Sequence, residues 1–416
     1  MSRHVLIIGA GIIGVCSAHN LLARGHRVTI VDRCSQQYRG CSFGNAGLVV
    51  PSHLAPLAAP GMIGTAARMM LSPRSPFYIR PRLDPELLGW GWKFTRAATR
   101  RHVERCAPLL RDLNLASLAC YEELAESEND FGFTRSGLLM LCKEPHTLDE
   151  ESRAAARANA LGISAEVLDA HQTARREPNV LMDVAGSVLY PKDCHLSPDR
   201  LIPALRLRVG RAGAIFHWES EITGLRVRHR RIQTAVTRGG AIEADEFVLC
   251  GGSWSPAVVR KLGLRLPMQA GKGYSLTLDS PPRLPATCAI LAEARVAVTP
   301  MDGRLRFGGT MEIAGLGERI NHARVRGIIE SIPSYYPQFT SDVFRDVKPW
   351  CGLRPCSPDG LPYIGRTRLL NNLTLATGHG MTGISLGPIT GKLVSQIVSG
   401  EPPSIDIALL SPDRYL

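Results

Sequence analysis

No apolar run in this chain approaches the roughly 18 residues that a bilayer-spanning helix needs. Aromatic residues are scarce, 6% of 416, and do not interleave with the basic runs. That leaves no stacking platform and argues against nucleic acid as a partner. Metal-ligand spacing is missing too. There are 11 cysteines, yet Cys34 with Cys41 and Cys351 with Cys356 match no zinc or iron–sulfur pattern. An odd count in so long a chain is no disulfide scaffold. They read as reduced, mostly buried thiols of a cytoplasmic protein, and no metal site is expected. Also absent are low-complexity segments, repeats at solenoid periods, a Ser–His–Asp set and a pair of catalytic carboxylates.

Negative charge is in short supply. The chain has 49 Lys and Arg against 37 Asp and Glu, a formal charge of +12. The excess gathers at Arg96, Arg100, Arg101, Arg105 and Arg111, and again at Arg226, Arg228, Arg230 and Arg231. The plain reading is a solvated basic surface. An anionic membrane surface or an acidic partner comes next.

What is present is an ordinary globular balance, 44% hydrophobic and 21% charged, with length for two or three domains. The start, Met1 to Val15, has the outline of a signal peptide, but the glycines inside it have a better use. Val5–Ile8 is a β-branched run suited to a buried parallel strand. Ile12–Arg24 reads as a helix with Gly25 at its C′ position. His26–Asp32 reads as a second strand. Strand, helix and strand in about thirty residues make the βαβ unit of a doubly wound fold.

Further on, residues 40–64 read as a long loop and Pro85–Ser127 as mainly helix. Gly137–Cys142 is strand-like. Leu148–Leu161 reads as a helix with an acidic first turn, and Ser197–Arg211 as a helix capped by Ser197 with Pro198 behind it. Ala214–Val227, Ile232–Arg238 and Phe247–Gly251 read as strands, and 266–310 alternates like strands. Ala323–Ser331 looks helical. Leu373–Ala376 is a strand that leads through a glycine turn to a last helix near Ile384–Ser399.

Two glycine turns carry the chemistry. Gly9, Gly11 and Gly14 sit between strand and helix: one for the tight turn, one for close approach of a pyrophosphate, one for helix–strand packing. Asp32 ends the next strand, where a carboxylate accepts ribose hydroxyls. This motif does not separate FAD from NAD. The second turn does: Gly378-His379-Gly380-Met381-Thr382-Gly383 opens the last helix. A helix N-terminus there stabilises the negative edge of a reduced flavin.

At these residues the chain resembles the FAD-dependent D-amino acid oxidase and dehydrogenase family, above all the bacterial D-amino acid dehydrogenases. Ser42-Phe43-Gly44-Asn45-Ala46-Gly47 is similar to the family's loop beside the flavin. Gly251-Gly252-Ser253-Trp254-Ser255 is similar to its Gly-x-Trp-Ser turn, and Lys272-Gly273-Tyr274-Ser275 to its Lys-Gly-Tyr-Ser segment. Gly352-Leu353-Arg354-Pro355, through Pro358-Asp359-Gly360 to Gly365, resembles its most specific signature. The matches run in order from residue 1 to about 400.

The resemblance implies a Rossmann-like doubly wound α/β FAD domain made of 1–85, 190–262 and 345–416. An interleaved α+β substrate domain on an antiparallel sheet would be made of 86–189 and 263–344. It places Ile12, Ile13, Arg33, Leu48, Ile222 and Gly352 beside the cofactor with the motif residues. It implies non-covalent FAD, since Cys351 is one residue off the position where related amine oxidases attach theirs. It gives Arg354 the substrate carboxylate, which a guanidinium fork suits; the alternative is a structural pair with Asp359. Tyr274 either adds a hydroxyl to the substrate pocket or packs in the core. His53 either bonds a polar group on the substrate or is an ordinary loop histidine. The implied reaction is hydride transfer from Cα of a small D-amino acid, a cyclic one such as D-proline or cis-4-hydroxy-D-proline preferred. A glycine- or sarcosine-type oxidase, or an FAD subunit of a larger complex, are the alternatives. Electrons would pass to a quinone or the respiratory chain, with the chain cytoplasmic or peripheral on the inner membrane.

Overall fold

The computed structural model describes residues 1–70 and 72–416. The apolar run at the start forms strand β1 (His4–Ile8). It pairs in parallel with β2 (Arg27–Val31) on one side and with Glu246–Leu249 on the other. A six-stranded sheet results, completed by Ile215–His217 at one edge and by Leu373–Thr377 and Tyr363–Arg366 at the other. All its neighbours are parallel except the Tyr363–Arg366 edge. Helix α1 (Ile12–Ala23) links β1 to β2 and is buried along most of its length. The last helix, Gly383–Ser399, packs beside it and is buried on nearly every side. Gly25 at φ 77° ends α1, as its position predicts.

A second, nine-stranded sheet holds the strands that lie between these pieces in sequence. Near one edge Gln269–Leu278 pairs antiparallel with Arg304–Ile313 and with the edge strand Trp350–Cys356. The two sheets thus come from interleaved segments.

Several expected boundaries move. Trp350–Cys356 belongs to the larger sheet, paired from Ser275 to Gln269, so a division at 345 falls on the wrong side of it. Phe77–Ile79 likewise joins the larger sheet, beside Met311–Ile313, and a division at 85 comes too late. The expected loop at 40–64 runs into a helix, α2 (Met62–Met70). The long helix from Pro85 breaks into α3 (Pro85–Ala97) and α4 (Arg100–Ser127). Each has its own cap: Asp84 accepts from Glu86 N, and Thr99 Oγ1 accepts from His102 N at 3.2 Å. The helix expected at Leu148 starts at Pro145. Proline's fixed φ sets its first turn, and Asp149, Glu150 and Glu151 fall beyond it. Ser197 occupies the N-cap position but makes no cap bond. Its hydroxyl donates to Asp302 at 2.8 Å instead. Ala214–Val227 is two strands in two different sheets.

Candidate flavin and substrate site

A cavity of about 290 Å³ lies along the carboxyl ends of the parallel strands, the crevice where ligands of such sheets bind. Gly9 makes its floor possible. It holds φ +114°, and a Cβ there would stand 2.5 Å from the Cys250 carbonyl oxygen. The Asp32 carboxylate braces the same turn, accepting from Ala10 N at 2.8 Å and Cys34 N at 2.9 Å. The N-cap residue Gly11 has no side chain to offer, so beyond Ile12 N, which donates to Ser42 Oγ, the next N–H groups of α1 face the cavity as an anion site would need. Ser42 closes one side with its hydroxyl 3.2 Å from Ile12 N.

Of the residues the sequence nominates, Gly9, Gly11, Ile12, Ile13, Asp32, Arg33, Ser42 and Asn45 line this cavity. So do Ile222, Gly251, Gly252, Trp254, His379, Gly380 and Gly383. Gly14, Ala46, Gly47, Leu48 and Gly352 do not; they shape the backbone behind it. Gly14 packs on the Gly9 carbonyl, and Leu48 pairs with His195 in a short two-stranded sheet. Arg33 stacks on Trp254 with its guanidinium carbon 3.8 Å from the ring centroid. Arg206 was not foreseen. It reaches in from the helix Pro198–Arg211 and donates to Ala10 O at 2.9 Å. There it adds a cation beside the α1 N-terminus. No motif surrounds it in the sequence.

A second, smaller cavity of about 30 Å³ adjoins the first. Gly378, His379, Gly380, Met381 and Thr382 form one wall, and His53, Pro56, Leu57 and Cys356 the others. Thr382 puts no side chain on the helix end, since its hydroxyl donates to His379 O. His379 stands between the two cavities. The Thr390 hydroxyl donates to Leu386 O, so it must accept from His379 Nε2 at 3.0 Å. That leaves Nδ1 as a bare acceptor, buried and without a protein partner. Burial pushes the imidazole down to about 3, so it is neutral at working pH. Burial also lowers His53. Among the described residues no carboxylate hydrogen-bonds either imidazole.

Arg354 stands on the strand face that carries Cys356 two residues on. Its Nη1 donates to Thr310 O, and burial lowers its pKa from the ordinary guanidinium value. No carboxylate lies within ion-pair distance of it among the described residues. Asp359, the alternative partner, is taken by Arg414, whose Nε and Nη2 grip it at 2.7 and 3.0 Å. Gly273 makes room for Arg354: a Cβ there would lie 2.2 Å from Nη2. Beside it Thr310 is held at φ 68°, and its hydroxyl has no partner. Arg354 is thus a half-buried cation without a counter-ion, beside strained backbone, and lies between Leu353 and Pro355 of the cavity wall without lining either cavity itself.

Tyr274 does not join this group. Strand alternation turns it away from Gly273 and Arg354. Its hydroxyl donates to Glu312 at 2.6 Å and accepts from Asn321 N at 3.2 Å. It belongs to the core, with Leu276 and Phe307.

The His53 loop is clamped at both ends. Val50 N donates to Ser385 Oγ at 3.2 Å, and Ser385 donates to Asn114, which reaches back to His53 O. On the far side the wholly buried Asp193 accepts from both Ser52 N and Ser52 Oγ. Burial pushes Asp193 up from 3.8 to about 7. A carboxyl whose pKa is higher folded than unfolded favours the fold at low pH, and that advantage is lost as pH rises from about 4 to 7. Asp193→Asn keeps both contacts without the titration. The parent protein is expected to lose melting temperature over that window, while the variant stays flat by comparison. Parallel curves in thermal melts would remove Asp193 from this role.

Two helix N-termini without a capping side chain of their own, a carboxylate at the end of β2 and a crevice between two sheets are the parts of a dinucleotide-binding oxidoreductase. Comparison with known proteins agrees. The DAO family model, FAD dependent oxidoreductase, matches residues 4–397. A D-amino acid dehydrogenase of Allorhizobium ampelinum is 33% identical over 99% of this chain and 98% of its own length. Glycine oxidase from Geobacillus kaustophilus superposes with a TM-score of 0.81 at 25% identity, covering 100% of this chain and 99% of its own. L-proline dehydrogenase from P. horikoshii gives 0.77 at 17% identity over 100% and 94%. The chain belongs to the DAO family and is an FAD-dependent oxidoreductase.

Proposed function

We propose that this chain dehydrogenates small D-amino acids, favours cyclic ones such as D-proline or cis-4-hydroxy-D-proline, and passes the electrons to a quinone or the respiratory chain. The unpaired Arg354 carries the amino acid reading. A planar fork with no protein anion to bind suits a substrate carboxylate. The dehydrogenase named among its relatives supports the D-configuration.

Bound FAD supplies the hydride acceptor. The α1 N-terminus, Asp32 and Arg206 would hold its pyrophosphate and ribose, and the last helix its ring edge. Cys351 is turned towards Glu318, whose carbonyl accepts from its thiol at 2.9 Å, which suits a non-covalent flavin. Arg354 fixes the carboxylate, and the neutral His379 Nδ1 offers an acceptor to an N–H or O–H beside the flavin edge. His53 faces the same small cavity and suits a ring hydroxyl. The His53 loop with Pro56 and Leu57 excludes water from this end. No general base is needed when the amine enters neutral.

The test is anaerobic mixing of the FAD-loaded protein with D- and L-proline, cis-4-hydroxy-D-proline, D-alanine, glycine and sarcosine, following loss of the flavin band. Bleaching by the D-imino acids first is the expected result. His53→Ala should then slow hydroxyproline about tenfold or more and proline far less, the loss of one buried hydrogen bond. Equal losses remove the hydroxyl role. Bleaching by glycine or sarcosine alone overturns the D-amino acid reading in favour of the glycine oxidase likeness.

A further inference from the structure

Helix α2 is only half covered: Met62, Thr65, Ala66 and Met69 are half-buried, while Ile63 and Met70 are exposed. Met62, Ile63, Ala66, Met69 and Met70 form one apolar stripe at helical spacing, yet no residue of the helix is buried. Ile63 is 46% exposed and Met70 36%. A nine-residue helix with no fully buried residue has little to stabilise it in water.

The strand Phe77–Ile79 and α3, which follow α2 in sequence, share one small core: Phe77, Ile79, Leu87, Trp90 and Phe94, with Leu57 of the cavity wall. The outer side of α3 is apolar as well. Leu88 is 63% exposed and Trp92 58%, and Leu83, just ahead of it, is fully exposed. Arg96 lies over the Trp92 ring at 4.7 Å.

Charge is lopsided in the same place. Met62 to Arg105 holds nine Lys and Arg against three Asp and Glu, a net +6 of the chain's +12. All three acids are already matched: Asp84 by Arg82, Glu86 by Arg260 and Glu104 by Arg100. Arg68, Arg80, Lys93, Arg96, Arg101 and Arg105 have no acidic partner among the described residues. Exposed aliphatic groups, a tryptophan and uncompensated cations together are the chemistry of an interfacial membrane anchor. Among the described residues no helix is long and apolar enough to cross a bilayer.

The geometry points to α2 and the outer face of α3 as the surface by which this protein docks on an anionic phospholipid bilayer. The step rests on the lipid-soluble acceptor proposed above. Docking sets the enzyme where such an acceptor dissolves, with the wall of the small cavity nearby through Leu57.

The experiment is sedimentation of the full, FAD-loaded chain with vesicles of phosphatidylglycerol and phosphatidylcholine in equal parts, and with phosphatidylcholine alone. No amino acid is present, so a wrong substrate assignment does not touch the result. Binding to the anionic vesicles is expected to exceed binding to the neutral ones at least about tenfold. Arg68→Gln with Arg96→Gln should lower the partition coefficient about 25-fold, about fivefold for each cation at ~1 kcal/mol. Trp92→Ala with Ile63→Ser should also weaken it, and added salt should not restore it. Dye-linked turnover of all variants should match the parent, which shows that they fold. Four outcomes overturn the proposal: equal binding to both vesicles, no binding, partition unmoved by the substitutions, or binding to native membranes but not to lipid alone. A change in the free protein's own association with Trp92→Ala would instead assign the surface to a second copy of the chain.

Discussion

Arg354→Met is expected to lower kcat/KM for every amino acid by about a thousandfold and to leave the flavin spectrum unchanged. Two charge-assisted hydrogen bonds to a carboxylate, at roughly 2 kcal/mol each, give that factor at about 1.4 kcal/mol per decade. No protein carboxylate is left behind to repel the substrate, so the whole loss reports the missing fork. Arg354→Lys should recover only about tenfold, since an ammonium offers a point charge where the substrate needs a fork. The Nη1 bond to Thr310 O fixes the fork's direction, so Lys also loses orientation. Single-turnover bleaching separates the effects: substrate affinity falls first, and the bleaching rate at saturation falls as the Cα–H drifts from its place. If Arg354→Met stays within tenfold of the parent, the carboxylate is held elsewhere and the amino acid reading loses its main support.

The parts of this site that the sequence makes legible are local ones. A glycine turn between a strand and a helix carries its own explanation, and so Gly9, Gly11, Asp32 and the His379 turn stand where their spacing places them. What depends on distant partners was not legible. Arg354 and Asp359 look like a pair when they lie five residues apart in sequence. The structure gives Asp359 to Arg414, 55 residues on, and only then is Arg354 free. Tyr274 beside Gly273 looks like a pocket residue until the sheet shows which face each presents. Arg206 has no motif, because its role comes from where its helix crosses the first glycine turn. Ser197 has the right type at the right position for a cap, yet Asp302, more than 100 residues away, takes its hydroxyl. The stripe on α2 is readable as periodicity, but whether anything covers it is a fact of packing.

The second large effect is expected at Gly9. Gly9→Ala should purify without colour or bind FAD at least about a hundredfold more weakly. A φ of +114° lies where a side chain costs about 1–3 kcal/mol. The new Cβ would also meet a backbone carbonyl at 2.5 Å, and Cys250 cannot yield: its N–H is bonded to Ile8 O at 2.8 Å, and both strands are central in the sheet. The turn must move instead. Moving it breaks the Ala10 bond to Asp32 and swings the α1 N-terminus off its line, so anion site and ribose acid fail together. Gly25→Ala is the control. Its φ is +77° with nothing within 4 Å, so it pays the backbone strain without the collision. It should lose about 1 kcal/mol of stability and keep its flavin. Flavin absorbance per protein and FAD titration of the stripped variants read this directly. A yellow Gly9→Ala, or equal flavin loss in both variants, would mean that strain alone governs and that the Gly9 turn does not cradle the cofactor. Colour kept in Gly25→Ala and lost in Gly9→Ala would tie FAD binding to the collision with Cys250, and so to the meeting of β1 and its neighbour at the mouth of the crevice.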